Sequence, residues 1–202
     1  MRGYARTRLR HLATLEHTRM GKVEDLVSAY GRFVRLPWER NLAGPQKCWF
    51  VVYDPRDERR LRSRLTLFEL ATKEAGHSWA LCDLTDAFAT WMAAEEYRES
   101  YFESPDDLDM ALGAFRQTVA DRVRALLTDL ASDQDSVVAL LGVASLFGFL
   151  KVSALVEDVA PAIRGRVLVF FPGEHEGNNY RLLDARDGWN YLAVPIMTEK
   201  VG

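Results

Sequence analysis

The sequence predicts an α/β fold: a mainly parallel sheet with flanking helices, an inserted acidic helical region and a C-terminal antiparallel β-hairpin. Three observations carry this reading. The runs CWFVVY, SWALC, VVALL and RVLVFF are continuously apolar rather than alternating, the pattern of strands covered on both faces. Between them lie stretches with apolar residues three and four apart, as the helices that connect parallel strands require. After Tyr180 the helical period disappears, and strand-like residues flank a polar turn.

Taken in order, Leu9 to Leu36 reads as two short helices broken near Gly21, with Leu26, Val27, Tyr30 and Val34 on one face. Pro37, Gly44 and Pro45 then punctuate a loop. CWFVVYD is the first strand. The helix after it has Asp54 as N-cap, Pro55 at the first helical position and Asp57 in the first turn, with Leu61, Leu65 and Phe68 facing inward and Gly76 closing it. SWALCDL is the second strand, and Thr85 or Asp86 opens a helix through Trp91 and Met92, giving a first βαβ unit within 46–94. The acidic region 95–135 follows, its main helix starting after Ser104-Pro105 with an inner stripe of Phe115, Val119, Val123 and Leu126 or Leu127. A second βαβ unit occupies the start of 136–202: strand Val137 to Leu141, a helix from about Phe147 to Val159, and strand RVLVFF. YRLL and WNYLAVPI, joined by DARDG with Gly188 at the turn, are expected to form the hairpin.

Length and composition narrow the function. A chain of 202 residues with 48% hydrophobic content sustains one sizeable core, so one α/β domain over 1–202 is the expectation. The uncharged apolar run Val137 to Leu150 has fourteen residues, short of the roughly 18 of a membrane span. No apolar segment follows the arginines of Met1 to Arg10, so neither secretion nor a membrane is expected. Cys48 and Cys82 lack CxxC or Cys/His spacing and read as buried free thiols of a cytoplasmic protein, with no zinc site. The net charge of −3 divides unevenly, +8 over 1–64 and −11 over 65–202. Such a division fits a nucleic-acid-facing arm, complementary surfaces for partner proteins, or two solvated faces.

No nucleotide or acyl-transfer motif is complete. A phosphate-binding loop needs a glycine, a lysine and a hydroxyl residue in immediate succession. Here Phe149 and Leu150 separate Gly148 from Lys151, and Val152 separates Lys151 from Ser153. Ser145, between Gly142 and Gly148, does not meet the G-x-S-x-G spacing of a nucleophile elbow either. If strands one, two and four were neighbours, Asp54, Asp83 and Glu174 would offer oxygen ligands to Mg²⁺; helix capping is the simpler role of the aspartates. His175, between Glu174 and Glu176, lacks a distant third ligand and reads as a solvated loop histidine. Asn178 and Asn179 serve either to close that loop or to bind. The run RDERRLRSR places Arg56, Arg59, Arg60, Arg62 and Arg64 on one helix. Asp57 and Glu58 interrupt it and no aromatic residue interleaves, which favours protein contact or solvation over nucleic acid.

Three segments carry a family resemblance: PWERNLAGPQKCWFVVYDPRDERRLRSRL, FELATKEAGHSWALCDLTDAFATWM and, most specifically, IRGRVLVFFPGEHEGNNYRLLDARDGWNYLAVPI. Over nearly its whole length the chain resembles the BrxB family of bacteriophage exclusion (BREX) systems. The resemblance implies a small cytoplasmic component of a multi-protein antiphage defence, working beside a methyltransferase, large ATPases and the alkaline-phosphatase-like protein PglZ. It implies no catalytic residues and no cofactor, and PglZ as the expected partner. The expectation is therefore a non-enzymatic adaptor, with Arg56, Arg59, Arg60, Arg64, Glu174, Glu176, Asn178 and Asn179 as candidate partner-binding residues. The alternatives are a nucleic-acid-binding component and a divergent nucleotide- or metal-binding enzyme.

Overall fold

Each of the apolar runs forms a strand, and the strands assemble into one sheet. The structure, a computed structural model, describes residues 22–129, 134–176, 179–182, 185–186 and 193–198. Helix α1 covers 22–34, and the expected helix before Gly21 lies outside the described residues. Strand β1 (Cys48–Tyr53) is followed by a 3₁₀ turn (Pro55–Asp57), α2 (Glu58–Ser63) and α3 (Leu65–Glu74). Asp54 caps that turn, accepting from the Arg56 amide at 3.0 Å. The expected single helix is divided at Arg64, where the Ser63 hydroxyl donates to the Arg60 carbonyl and competes with the helical ladder. Next come β2 (Ser78–Asp83), α4 (Ala87–Ala94), α5 (Arg98–Glu103), α6 (Leu108–Asp129) and β3 (Ser136–Leu141). The chain continues through α7 (Val152–Val159), β4 (Arg166–Glu176), β5 (Asn179–Leu182), β6 (Ala185–Arg186) and β7 (Val194–Ile196). Helix α7 starts five residues later than the sequence suggests: Gly148 stands at φ +85° and Lys151 is extended, which ends the preceding 3₁₀ turn.

The strand order is β2-β3-β4-β1-β7, with parallel neighbours throughout this path. The second βαβ unit, β3-α7-β4, is as expected. The first is not a neighbouring pair, because β3 and β4 stand between β1 and β2. Burial explains the exchange. All six residues of β1 are buried, which calls for a strand on each side, whereas in β2 only Cys82 is fully buried and Leu81 is 41% exposed, as suits an edge.

The antiparallel hairpin is present, with different arms from those expected. Strand β4 runs on beyond Phe171 through Pro172 to Glu176, and its end pairs with β5, Gly173 opposite Leu182 and Glu176 opposite Asn179. Strand β6 extends this pairing, while β7 returns to the main sheet parallel to β1, Trp49 beside Val194. Val194–Ile196 thus supply an edge strand rather than a hairpin arm, because Ile196 buries with Trp49 and Val51, and the rest of WNYLAVPI before Ala193 lies outside the described residues. The Gly188 turn lies outside the described residues.

Strand residues alternate between two cores. Trp49, Val51, Tyr53, Leu168 and Phe170 pack against α1, α2 and α3 through Tyr30, Leu61 and Phe68. Phe50, Val52, Val138, Leu140 and Val169 meet α4, α6 and α7 on the other face, through Trp91, Val123 and Leu155. The expected stripe of α6 holds, with Phe115, Val119, Val123 and Leu127 buried. Cys48 and Cys82 are buried and unbridged, and burial pushes the Cys48 thiol up to about 12. Arg166 is also buried, its guanidinium lying over the Trp38 ring at 4.9 Å and donating to the Glu39 carbonyl at 2.8 Å. No helix among the described residues is long and apolar enough to cross a membrane.

A bidentate ion pair joins α6 to α7: Arg116 donates to Asp158 at 2.6 and 2.8 Å. These hydrogen bonds from Arg116 hold the Asp158 carboxyl below the usual carboxylate range. A depressed folded value contributes stability above the ordinary carboxylate pKa and loses it as pH falls through the folded value. Asp158→Asn is therefore expected to cost about 1 kcal/mol or less at neutral pH, since the pair is partly solvated. Urea unfolding of both proteins checks this, and their difference should shrink as pH falls below the ordinary carboxylate range and vanish once the folded carboxyl is protonated.

Candidate functional site

The chain leaves β1 toward α2 and α3 on one face and leaves β3 toward α7 on the other, with β4 between these strands. In open α/β sheets, ligands are held beyond the carboxyl ends of the strands where such connections diverge. Here that place is built by the turn and helix after Tyr53, by Asp83 to Thr85 after β2, by Gly142 after β3 and by the β4 extension. Tyr53 lies beside Pro172, so the Gly173 arm continues next to the point where Asp54 leaves the sheet.

Arg62 is the centre of this end of the molecule. Its Nε donates to Glu58 at 2.7 Å, Nη1 to Asp83 at 3.1 Å and Nη2 to the Thr85 hydroxyl at 2.7 Å. Tyr53 donates its phenolic proton to the same Glu58, and the Thr85 hydroxyl and amide both donate to Asp83. Burial works to raise the Asp83 carboxyl, but Thr85 and Arg62 outweigh it and hold it below the usual range. Gly142, at φ +74°, makes room for this network: a methyl there would sit 2.7 Å from the Thr85 nitrogen. Gly142 thus allows the exits of two strands to come into close contact.

Three of the remaining arginines of the segment are also paired with carboxylates. Arg56 donates Nε to Asp54 at 2.9 Å, Arg60 lies 3.6 Å from Asp57, and Arg64 donates to Glu24 of α1 at 3.0 Å. At 3.6 Å the Arg60 contact is an ion pair without a hydrogen bond, although Asp57 is only 3% exposed. Arg59 is exposed and makes no ion pair among the described residues. The helix start where an anion would be cradled instead carries Asp54, Asp57 and Glu58. Those carboxylates complement the helix N-terminus themselves and repel a phosphate.

Glu174 and Glu176 are exposed on the β4 extension, which is a strand rather than the expected loop. Backbone pairing with β5 satisfies this arm, so its polar side chains stand outward in alternation. His175 turns to the other side and packs against the Tyr180 ring at 4.6 Å, and burial pushes its imidazole below the usual range. It is a half-buried strand residue and not a solvated loop histidine. Asn179 is exposed opposite Glu176, and Asn178 lies outside the described residues.

The condition for the Asp54, Asp83 and Glu174 metal site is not met, because β3 stands between β2 and β4, and both β3 and β4 stand between β2 and β1. Asp54 is engaged by Arg56 and Asp83 by Arg62. Among the described residues no three His, Cys, Asp or Glu side chains converge in metal-binding geometry. Lys151 is exposed at the start of α7, apart from any glycine-lined phosphate cradle. Sequence reasoning left Arg62, Glu58 and Thr85 out of the candidate set. The four-residue spacing of Glu58 and Arg62 signals a helical ion pair, but nothing local signals their meeting with Asp83.

Comparison with known proteins finds no matching family model, no matching curated protein and no matching solved structure.

Proposed function

We propose that this chain is a non-enzymatic adaptor of a bacterial BREX antiphage defence complex, with a larger defence protein such as PglZ as its partner. The sequence resemblance described above points to this role. The observation that supports it in the structure is the charge-paired helix start after β1. Where this sheet architecture usually receives a ligand, Asp54, Asp57 and Glu58 are neutralised by Arg56, Arg60 and Arg62 of the same segment. A charge-paired cluster of this kind is a polar surface suited to contact with another protein, where arginine is a favoured residue.

Arg59 is the cleanest probe of that surface, because reversal of Arg60 or Arg64 also breaks an internal pair. Tagged protein recovered from cells carrying the whole defence operon, with nuclease present, is expected to retain PglZ in stoichiometric amount. Arg59→Glu is expected to weaken that recovery about tenfold without changing thermal stability. Recovery of nucleic acid alone, lost at high salt, would instead establish the nucleic-acid reading, whose contacts depend steeply on ionic strength. Full retention of PglZ by Arg59→Glu would remove this helix from the interface.

A further inference from the structure

The acidic region holds a feature that neither the core nor the charge cluster uses. Helix α5 has six residues and buries none of them fully. A helix that short does not persist on propensity and depends on packing. Around it, three large apolar side chains face solvent: Tyr97 is 64% exposed, Phe102 70% and Met110 84%. Tyr97 and Met110 line a groove of about 380 Å³ between α5 and the start of α6, with Tyr101 and Ala111 in its wall and Asp107 at its edge. Single exposed apolar residues are ordinary, but a groove between two of them with a third close in sequence marks an interaction surface.

The charge around the groove selects the occupant. Between residues 95 and 109 seven Asp and Glu stand against one Arg, and that Arg98 turns back to the Ala93 carbonyl and to Glu99. Asp107 lines the groove, and the segment that forms it carries this negative charge, which repels nucleic acid and the anionic surface of a bilayer and attracts Lys and Arg. We propose that the α5–α6 groove docks a basic amphipathic segment of a partner protein, its apolar anchors seated between Tyr97 and Met110 and its Lys or Arg side chains on the acidic segment. Apolar anchors supply the affinity and the charges supply the rate and the choice of partner. The groove belongs to the helices that cover the opposite face of the sheet from α1 to α3, so an adaptor would carry two separate contact surfaces. The inference deepens the adaptor reading by giving the chemistry of a partner, and it rests on that reading only for which complex the partner belongs to.

The test uses the purified full chain, isotopically labelled, and a synthetic amphipathic peptide of leucine and lysine at helical spacing. Saturable binding is expected, with amide shifts concentrated between residues 97 and 111. The double variant Tyr97→Ser, Met110→Ser should bind about tenfold more weakly while keeping its melting temperature, because both side chains are exposed. The same peptide with glutamate in place of lysine should not bind. Absence of saturable binding, shifts elsewhere on the molecule, equal binding of the glutamate peptide or an unaffected variant would each overturn the proposal. So would concentration-dependent self-association abolished by the variant, since a second copy would then be the occupant. Because the measurement needs no other defence protein, its failure is separate from a failure to recover PglZ.

Discussion

Phe170→Ala is expected to lower the free energy of unfolding by about 3–5 kcal/mol, the largest effect of any single change proposed for this chain. Phe170 is wholly buried on β4, beside Val51 of β1, and its ring meets Phe68 of α3 edge-on at a centroid distance of 5.0 Å. Truncation removes the transfer energy of the ring and opens a cavity between a central strand and the helices over it. The neighbours cannot collapse into that cavity, because β4 is held on one side by β1 and on the other by β3. Phe170→Leu keeps most of the volume and should cost under about 1.5 kcal/mol. Urea denaturation with an unchanged slope checks both values. A loss below about 1 kcal/mol for the alanine variant would mean that this core is loosely packed.

Gly142→Ala is expected to cost about 2–4 kcal/mol, and Gly148→Ala about 1 kcal/mol, although the two glycines have similar left-handed backbones. The positive φ burdens both substitutions alike. The difference is contact: a methyl at Gly142 runs into the Thr85 backbone, whereas at Gly148 nothing lies within 4 Å. The expected separation is several degrees in melting temperature, at about 2–4 °C per kcal/mol for a chain of this size. Equal losses would show that backbone strain alone decides. The Gly142 substitution also reaches the charge cluster, because the displaced Thr85 is the residue that Arg62 and Asp83 share. Arg59→Glu, by contrast, should leave stability unchanged and act only on assembly.

Much of the fold was legible because its signals are local. CWFVVY, VVALL and RVLVFF announce strands covered on both faces by having no polar alternation, and each of them is buried throughout the apolar run. Phe115, Val119, Val123 and Leu127 recur at helical spacing and form the inner stripe of α6. Asp54, Pro55 and Gly76 mark the start and end of the helical segment after β1 through hydrogen bonding and backbone freedom that belong to those residues alone. The hairpin arms were less legible. PGEHE contains proline, glycine and charge, and only pairing with NYRL makes it a strand.

The candidate site was legible in part. The arginine run and its interrupting acids are visible as spacing, and so is the pair of Glu58 with Arg62. That Arg64 belongs to Glu24, and Arg62 to Asp83 and Thr85, follows from chain approaches across 40 and about 20 positions, which no local pattern encodes.

The sequence by itself therefore determined the class of the fold, the central strands and the inner stripe of α6, the two-sided burial of those strands and the division of charge between the basic first third and the acidic remainder. Tertiary structure alone decided the strand order, which separates β1 from β2, the return of Val194–Ile196 to the sheet edge, and the pairing of Arg62 with Asp83 and of Arg64 with Glu24. It also decided that Tyr97, Phe102 and Met110 face solvent rather than a core. The physical reason is one of range. Backbone propensity, capping and hydrophobic period act within a few residues, whereas pairing order and exposure depend on which apolar faces remain to be covered once the whole chain has been packed.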